Sequence, residues 1–287
     1  MDANKSKKIL FFGFGYTAER LYNIMKLDGW EACASSRTPN SKKTNNIKFF
    51  DFTSEKRKLE EHILSSDVIL ISIPPQGKSD PVLDNYKDVF KENLAAKWIG
   101  YLSATSVYGD YNGAWVNEGS EPMPKTSRGL NRLFVEDQWN KLGISYCLPI
   151  IRFRISGIYG PERNPFDRIR SGTQKIIQKP DHFFNRIHVD DLCEILYQSI
   201  KRPDPGEVFN VSDYAPSTSE EFINEATKLL DMPKAKKVNI RDADLSDLAL
   251  SFYADSKKVS NQKIVKTLKY KFKYPSYKEG LKSLIKS

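Results

Sequence analysis

The segment that most restricts the fold runs from Lys8 to Ala18, where an unbroken apolar stretch ends at closely spaced glycines. Residues 8–15 read KILFFGFG, and an apolar run without alternation is typical of a strand buried on both faces of a parallel sheet. Residues 13–18 read GFGYTA, a G-x-G-x-x-A pattern, and apolar residues at helical spacing follow it. Strand, glycine turn and helix in this order predict a helix N-terminus that faces a phosphate-bearing ligand.

The small residues of this turn have separate roles. Gly13 permits the tight bend, Gly15 lets the backbone approach a pyrophosphate, and Ala18 lets the helix pack on the strand. The pattern predicts a dinucleotide site, and a structural glycine turn is the alternative. The other residues predicted to contact the cofactor here are Phe14, Tyr16 and Thr17.

Strand and helix signals alternate through the first half of the chain. Strands are predicted over residues 31–35, 47–52, 68–73 and 98–104, and helices over residues 16–30, 54–65 and 83–94. Such alternation indicates a doubly wound parallel sheet with helices on both faces.

From Pro122 the pattern becomes irregular and rich in Pro, Asp and Asn. The remaining predicted elements are helices over residues 128–142 and 219–230 and strands over residues 145–155 and 206–211. We therefore predict an α/β chain, with a Rossmann doubly wound parallel sheet in residues 1–165 and a smaller C-terminal α+β substrate lobe in residues 166–287. The region 186–211 is a further candidate part of the sheet.

The end of the second predicted strand bears on the choice between NADP and NAD. An acidic residue there would bond the ribose hydroxyls and repel a 2′-phosphate, whereas an arginine would pair with that phosphate. Residues 34–38 read ASSRT, so Ser36 and Arg37 favour NADP. NAD remains open, as does Arg37 acting only as a solvated loop cation.

Topology alone assigns further cofactor contacts at the ends of the third and fourth strands. The third strand places two residues beside the adenine, and the fourth places three beside the nicotinamide. These residues are Asp51 and Phe52, then Ile73, Pro74 and Pro75.

The charge balance suggests a nucleic-acid partner until the charges are located. The chain has 287 residues and a net charge of +9. Residues 254–287 hold ten lysines and two acidic residues, so the rest of the chain is nearly neutral. Lysines alternate with apolar residues over 268–274, which predicts a half-buried strand or extended edge with a solvated lysine face. An anionic partner, including nucleic acid, is the less favoured interpretation.

The cysteines and the N-terminal segment favour the cytoplasm. Cys33, Cys147 and Cys193 are far apart and show neither disulfide nor metal-ligand spacing, so no metal is predicted. The first apolar run is too short for a signal segment or a membrane span. No membrane partner is therefore expected.

Four further motifs follow in order along the chain: YLSATSVYG over residues 101–109, Glu118, RISGIYGPER over 154–163, and RIHVDD over 186–191. With the glycine turn, they resemble the extended short-chain dehydrogenase/reductase superfamily, in its NAD-dependent epimerase/dehydratase group. The resemblance covers about residues 8–230. It implies a nicotinamide cofactor, a small-molecule substrate, and dimerisation through a helix pair that would include residues 128–142.

The residues at the positions that carry catalysis in this family differ from the family pattern, and the glycine turn also departs from the usual GxxGxxG. Relatives hold a Ser or Thr four residues before Tyr108, where this chain has Ala104. The register set by Glu136 puts Arg132 at the usual Lys position and Arg128 at the usual Tyr position. The resemblance therefore indicates an atypical subgroup that lacks the Tyr-x-x-x-Lys pair.

An arginine cannot act as a general acid or base near neutrality, but it can still bond a ribose or an anion. Arg132 is thus expected to keep the ribose contact, while Arg128 cannot keep the proton transfer. Tyr108 is the candidate replacement acid/base, with an aromatic wall as the alternative. Substrate contacts are predicted at the edge of the sheet for Arg154, Tyr159 and Arg163, against structural ion pairing for the arginines.

Two functions remain open from the sequence. The first is an NAD(P)-dependent oxidoreductase or epimerase/dehydratase acting on a carbonyl or secondary alcohol, with a sugar nucleotide as one candidate substrate. The second is a non-catalytic NADP(H)-binding or redox-sensing protein, which the changes at Ala104, Arg128 and Arg132 favour. His188 is interpreted as a structural residue.

Overall fold

The apolar run at the start of the chain forms the first strand of a large sheet. The computed structural model describes residues 6–39 and 47–285. Residues 9–12 are fully buried, as expected for a strand covered on both faces.

The strands of the described residues are short, as is usual for α/β proteins. They are β1 (Lys8–Phe12), β2 (Glu31–Ser36), β3 (Ile47–Asp51), β4 (Val68–Ile71), β5 (Trp98–Ala104), β6 (Trp115–Val116), β7 (Ile150–Ile155), β8 (Gly157–Tyr159), β9 (Lys175–Gln178), β10 (Arg186–His188), β11 (Val208–Val211), β12 (Lys236–Asn239) and β13 (Lys258–Val259).

Helices follow most of the long strands. They are α1 (Tyr16–Met25), α2 (Lys56–Ser65), α3 (Pro81–Tyr86), α4 (Ser127–Tyr146), α5 (Phe166–Arg170), α6 (Val189–Lys201), α7 (Ser219–Leu229), α8 (Asp247–Tyr253), α9 (Gln262–Leu268) and α10 (Tyr277–Ser283). Within the described residues, no helix is long and apolar enough to cross a membrane.

Seven strands form one sheet in the order β11-β7-β5-β4-β1-β2-β3. β1 pairs in parallel with both β2 and β4, so the strand order reverses between β1 and β4. β2–β3 and β4–β5 are parallel as well. This is the doubly wound topology, and the predicted α/β Rossmann fold class is confirmed.

The chain divides into two compact units. The first contains Met1–Ser103, Asn131–Phe153 and Cys193–Val208. The second contains Ala104–Leu130, Arg154–Leu192 and Phe209–Ser287.

Each unit has a hydrophobic core of its own. In the first unit, Phe12, Tyr101 and Trp139 belong to a large aromatic and aliphatic cluster. In the second, Tyr159, Phe222 and Tyr277 belong to a smaller one. Burial of this apolar surface is the main stabilising contribution in both units.

Several predicted elements differ from the structure at their ends. The strand predicted over 145–155 begins only at Ile150, because α4 continues to Tyr146 and Cys147 then adopts φ 52°. The helix predicted over 83–94 is α3 followed by a separate 3₁₀ turn, Val89–Lys91. The helix predicted over 16–30 ends at Met25, and a 3₁₀ turn, Lys26–Asp28, follows it.

Of the two forms predicted for residues 268–274, a half-buried strand or an extended edge, the strand is not formed, while Lys269, Lys271 and Lys273 are exposed as predicted. Leu268 ends α9, and an irregular segment leads to α10. Its backbone is held by one carboxylate: Asp191 accepts hydrogen bonds from Lys273 N at 2.8 Å and Tyr274 N at 2.9 Å, and from the Tyr270 hydroxyl at 2.7 Å. Burial does alternate along the segment, which explains why its side-chain pattern resembles a strand.

Candidate functional site

The glycine turn is held by two serines from neighbouring parts of the sheet. Gly13 N donates to Ser35 Oγ at 3.2 Å, and Ser72 Oγ donates to the carbonyls of Phe12 and Gly13 at 3.1 and 3.0 Å. Gly13 has φ +86°, and a Cβ there would lie 2.9 Å from Ser72 Oγ. Conformation and space therefore both require glycine at this position.

Gly15 lies in a different setting from Gly13. It is exposed and is the N-cap residue of α1, without a side-chain cap. A Cβ at Gly15 would meet nothing within 4 Å, so it would project into the open space in front of the helix. Backbone donors of a helix start facing open space are the arrangement that a pyrophosphate needs, and the turn therefore fits a dinucleotide.

The other predicted residues of the turn differ in exposure. Phe14 and Thr17 are buried, and the Phe14 ring makes edge contacts with Phe11 at 5.3 Å between centroids. Tyr16 is half-buried and stacks with the Arg20 guanidinium at 3.9 Å. Any contact of Phe14 or Thr17 with a cofactor would therefore come from the backbone.

At the end of β2, the structure shows a short polar turn and an exposed cation. Ser36 Oγ accepts a hydrogen bond from Thr38 N at 3.1 Å. Arg37 is exposed and makes no hydrogen bond or ion pair with a residue that the structure describes. Its charge is thus available to a ligand at this edge.

The two residues predicted beside the adenine have other contacts. Asp51 Oδ1 accepts hydrogen bonds from the backbone and hydroxyl groups of Thr53 and Ser54, at 2.8–3.0 Å. Those bonds hold the pKa of Asp51 far below its usual range, since they favour the charged form. The Phe52 ring is buried against Phe12 and Tyr86.

After β4, the predicted nicotinamide wall is a non-regular segment. Ile73 packs on the core of the first unit. Pro74 is exposed and Pro75 is half-buried.

Arg132 lies on α4 and contacts the end of β5. Its Nη1 donates to the Leu102 carbonyl at 3.0 Å and to the Tyr101 hydroxyl at 3.3 Å. Burial raises the pKa of Tyr101, so its phenol stays neutral beside the guanidinium. One turn along α4, buried Glu136 accepts a 2.6 Å hydrogen bond from buried Ser103. Glu136 served only to set the helix register in the sequence analysis. No sequence pattern indicates its hydrogen bond with Ser103, so this pair was not predicted.

In the second unit, the phenol of Tyr108 is fully buried. Its hydroxyl donates to Asn210 Oδ1 at 2.7 Å, and the Arg154 guanidinium lies 4.8 Å from the ring centroid. Burial raises the pKa of Tyr108. The structure thus brings together two of the predicted residues, Tyr108 and Arg154, in one buried cluster.

Arg128, which is predicted from the sequence to stand at the family's Tyr position, lies in another cluster of the second unit. Its guanidinium stacks on Phe252 at 3.9 Å. Nearby, buried Lys257 donates to the Gly109 carbonyl at 2.8 Å and lies 4.0 Å from Asp255. Burial lowers the pKa of Lys257 to about 8. Because Lys257 belongs to the lysine-rich end of the chain, nothing in the sequence distinguishes it from the solvated lysines.

Tyr159 and Arg163 line a cavity of about 560 Å³ in the second unit. Tyr159 is buried, and its burial raises the pKa of the phenol. Four cations and no carboxylate line this cavity among the described residues. The cations are Arg163, Arg168, Lys175 and Arg186.

The cavity wall also includes aromatic rings, and one of them supports an arginine. The Arg186 guanidinium lies 4.0 Å from the centroid of Phe222. Arg186 belongs to the RIHVDD motif on which the family resemblance rests, but no sequence pattern indicates a role for it. The same motif supplies His188, which is buried between the rings of Tyr159 and Tyr274, at 5.2 and 4.1 Å.

Solved structures match the chain over nearly its whole length. A conserved protein of unknown function from Silicibacter pomeroyi is 37% identical, with a TM-score of 0.88 over 97% of this chain and 98% of that one. UDP-glucuronic acid 4-epimerase from Bacillus cereus, in complex with NAD, is 19% identical, with a TM-score of 0.73 over 97% and 96%. dTDP-glucose 4,6-dehydratase from Bacillus anthracis, also with NAD, is 17% identical, with a TM-score of 0.77 over 98% and 96%.

No protein-family model matches the chain, and no curated protein matches it. The fold is the one seen in these epimerase and dehydratase structures. At 37% identity over almost all of both chains, the chain belongs to the same family as the Silicibacter pomeroyi protein.

Proposed function

We propose that the chain is an NADP-preferring oxidoreductase that acts on a carbonyl or secondary alcohol of an anionic small molecule, with sugar nucleotides as the leading candidates. The observation that carries the proposal is the turn at Gly15, where the uncapped start of α1 faces open space. A bound nicotinamide would supply hydride exchange with the carbon that carries the oxygen.

The protein's part in cofactor binding follows from the first unit. Backbone N–H groups at the start of α1 would hold the pyrophosphate. Exposed Arg37, with no acidic residue at the end of β2, would pair with a 2′-phosphate. Arg132, fixed by the Leu102 carbonyl, would hold the nicotinamide ribose in place of the family's lysine.

The substrate site is assigned to the cavity of the second unit. Its four cations complement a phosphate-bearing substrate, and its aromatic wall suits a planar base. Tyr159 and Arg163 belong to this site, whereas Arg154 packs against the ring of Tyr108 instead.

A specific observation also favours the non-catalytic alternative. The hydroxyl of Tyr108 already donates a hydrogen bond to Asn210 Oδ1, and Arg128 cannot exchange a proton near neutrality. Loss of a positioned acid or base typically costs about 10² to 10⁴ in rate. A protein that binds NADP(H) without turnover is therefore the second candidate.

Calorimetric titration of the intact protein with NADPH and NADH tests the cofactor assignment. We expect tighter binding of NADPH, and we expect Arg37→Ala to weaken NADPH binding about tenfold while NADH is unaffected, because only NADPH carries the 2′-phosphate. Arg57→Ala, at an exposed arginine on α2, is the matched control. If Arg37→Ala lowers the affinity for both cofactors equally, or for neither, Arg37 does not bind the 2′-phosphate.

A turnover assay distinguishes the proposed enzyme function from the non-catalytic NADP(H)-binding function. The protein is incubated with NADPH and a panel of nucleotide sugars and aldehydes, and loss of NADPH absorbance is followed. If the turnover rate of Tyr108→Phe is lower than that of the wild type by a factor of about 10² or more, Tyr108 is the proton donor. NADPH binding without turnover on any member of the panel would favour the non-catalytic function.

A further inference from the structure

Arg186 lines the cavity of the second unit, and the described residues hold only one of its guanidinium nitrogens by hydrogen bonds. Its Nη1 donates to Ser217 Oγ at 2.7 Å and lies 3.4 Å from the Phe184 carbonyl. Nε and Nη2 make no hydrogen bond with any residue that the structure describes, and neither is a buried unpartnered atom. These two nitrogens therefore have donors left for a ligand in the cavity.

A buried carboxyl group lies beside this arginine without pairing with it. Asp213 is 1% exposed, and its backbone N donates to the Arg186 carbonyl at 2.7 Å. Asp213 Oδ1 accepts a hydrogen bond from Ala215 N at 3.0 Å. Oδ2 is buried and has no partner among the described residues, and no ion pair links Asp213 to Arg186 there. An uncompensated buried carboxylate is costly, so this group favours its protonated form.

The charged surroundings of Asp213 point the same way. Burial is the largest cause that raises its pKa, to about 7, and Asp191 and Glu279 add repulsion, while Arg186 opposes the rise. Tyr159 also faces the group, and burial keeps its phenol neutral. Asp191 is itself fixed by the C-terminal segment through Tyr270, so it cannot move away.

We propose that Arg186 and Asp213 act together as a proton-linked recognition pair: a diphosphate diester binds Nε and Nη2 of Arg186, and where Asp213 is ionised in the free protein its binding is accompanied by proton uptake on Asp213. This inference rests on the assignment of the cavity as the substrate site. An anion bound at Arg186 repels the Asp213 carboxylate and favours protonation of that group. Affinity is then highest below the titration of free Asp213 and falls as the pH rises through neutrality.

Titration with UDP-glucose tests the proposal, because the charge of this diphosphate diester stays constant between about pH 6 and 8.5. The intact protein is titrated by calorimetry across this range, in pairs of buffers with different ionisation enthalpies. We expect affinity to fall about tenfold from pH 6 to 8.5, with proton uptake near neutrality. Asp213→Asn, which imitates the protonated group, is expected to bind with pH-independent affinity close to that of wild type at pH 6.

Three outcomes are decisive. Wild-type affinity that is unchanged with pH and independent of buffer would overturn the proton linkage while leaving the cavity as the substrate site. No binding at pH 6 would overturn both assignments in the second unit, while NADPH titration separately decides the cofactor site. Unchanged binding in Arg186→Ala would show that UDP-glucose binds elsewhere. Thermal unfolding of each variant reports folding, and the wild-type proton uptake decides the proposal if Asp213→Asn does not fold.

Discussion

The two regions proposed to bind anions are built in opposite ways. The turn in the first unit offers backbone N–H groups, and its residues 13–18 include no cation. The cavity in the second unit offers four cationic side chains and no carboxylate among its described lining residues. A backbone site depends on shape, whereas a side-chain site depends on charge, so the two should respond to different perturbations.

The largest effect is expected from shape, at Gly15. Gly15→Arg fills the open space at the start of α1, and we expect NADPH affinity to fall more than about 100-fold, because backbone and pyrophosphate can no longer approach. Asn93→Arg, at an exposed position of the same unit, is the control for the added charge. Calorimetry measures affinity, and thermal unfolding checks that both variants fold. Retained NADPH binding in Gly15→Arg would show that the cofactor does not bind at this turn.

A smaller loss is expected from removing one charge in the cavity. Arg186→Ala should weaken UDP-glucose binding about 30-fold at pH 6, since a charge-assisted contact is lost, while NADPH affinity stays unchanged. Arg170→Ala is the matched control, because Arg170 is exposed and pairs with Asp167 outside the cavity lining. An equal loss of NADPH affinity in Arg186→Ala would show that the two sites are not independent.

The smallest expected effect is the difference in salt dependence. Between about 50 and 300 mM salt, UDP-glucose affinity should fall several-fold, because mobile ions screen the cationic side chains. NADH affinity should fall less over the same range, since its pyrophosphate is held by backbone dipoles at short range. Parallel titrations at both salt concentrations give the two ratios. Equal ratios would contradict the proposed difference between the two regions.

The same contrast explains how much could be predicted from the sequence. Residues 8–18 combine an uninterrupted apolar run with spaced glycines, and both are local signals, so the strand, the turn and the fold class were predicted correctly. The arrangement of Arg186 with Asp213 was not predicted, because it depends on tertiary burial. The strand, one of the two forms predicted for residues 268–274, is not formed for a related reason: the partner of that backbone is Asp191, about 80 residues earlier in the chain.

The residues of α4 that were predicted to stand at the family's catalytic positions show the same limit. The sequence placed Arg128, Arg132 and Glu136 on one helix, and the structure shows all three within Ser127–Tyr146. The contact partner of each residue could not be predicted from the sequence. Arg132 donates to the Leu102 carbonyl, Glu136 accepts from Ser103, and Arg128 stacks on Phe252. Helical spacing gives the face of a residue, but not the partner that long-range packing supplies.

Hydrogen–deuterium exchange of the wild-type protein with saturating NADPH tests whether the glycine turn binds the dinucleotide, because it locates the bound cofactor. We expect slower exchange at the start of α1 and at residues 34–39, with residues 219–229 of α7 unchanged. Slower exchange in α7 and around Arg186, with none at the turn, would contradict this expectation and would place the dinucleotide in the cationic cavity.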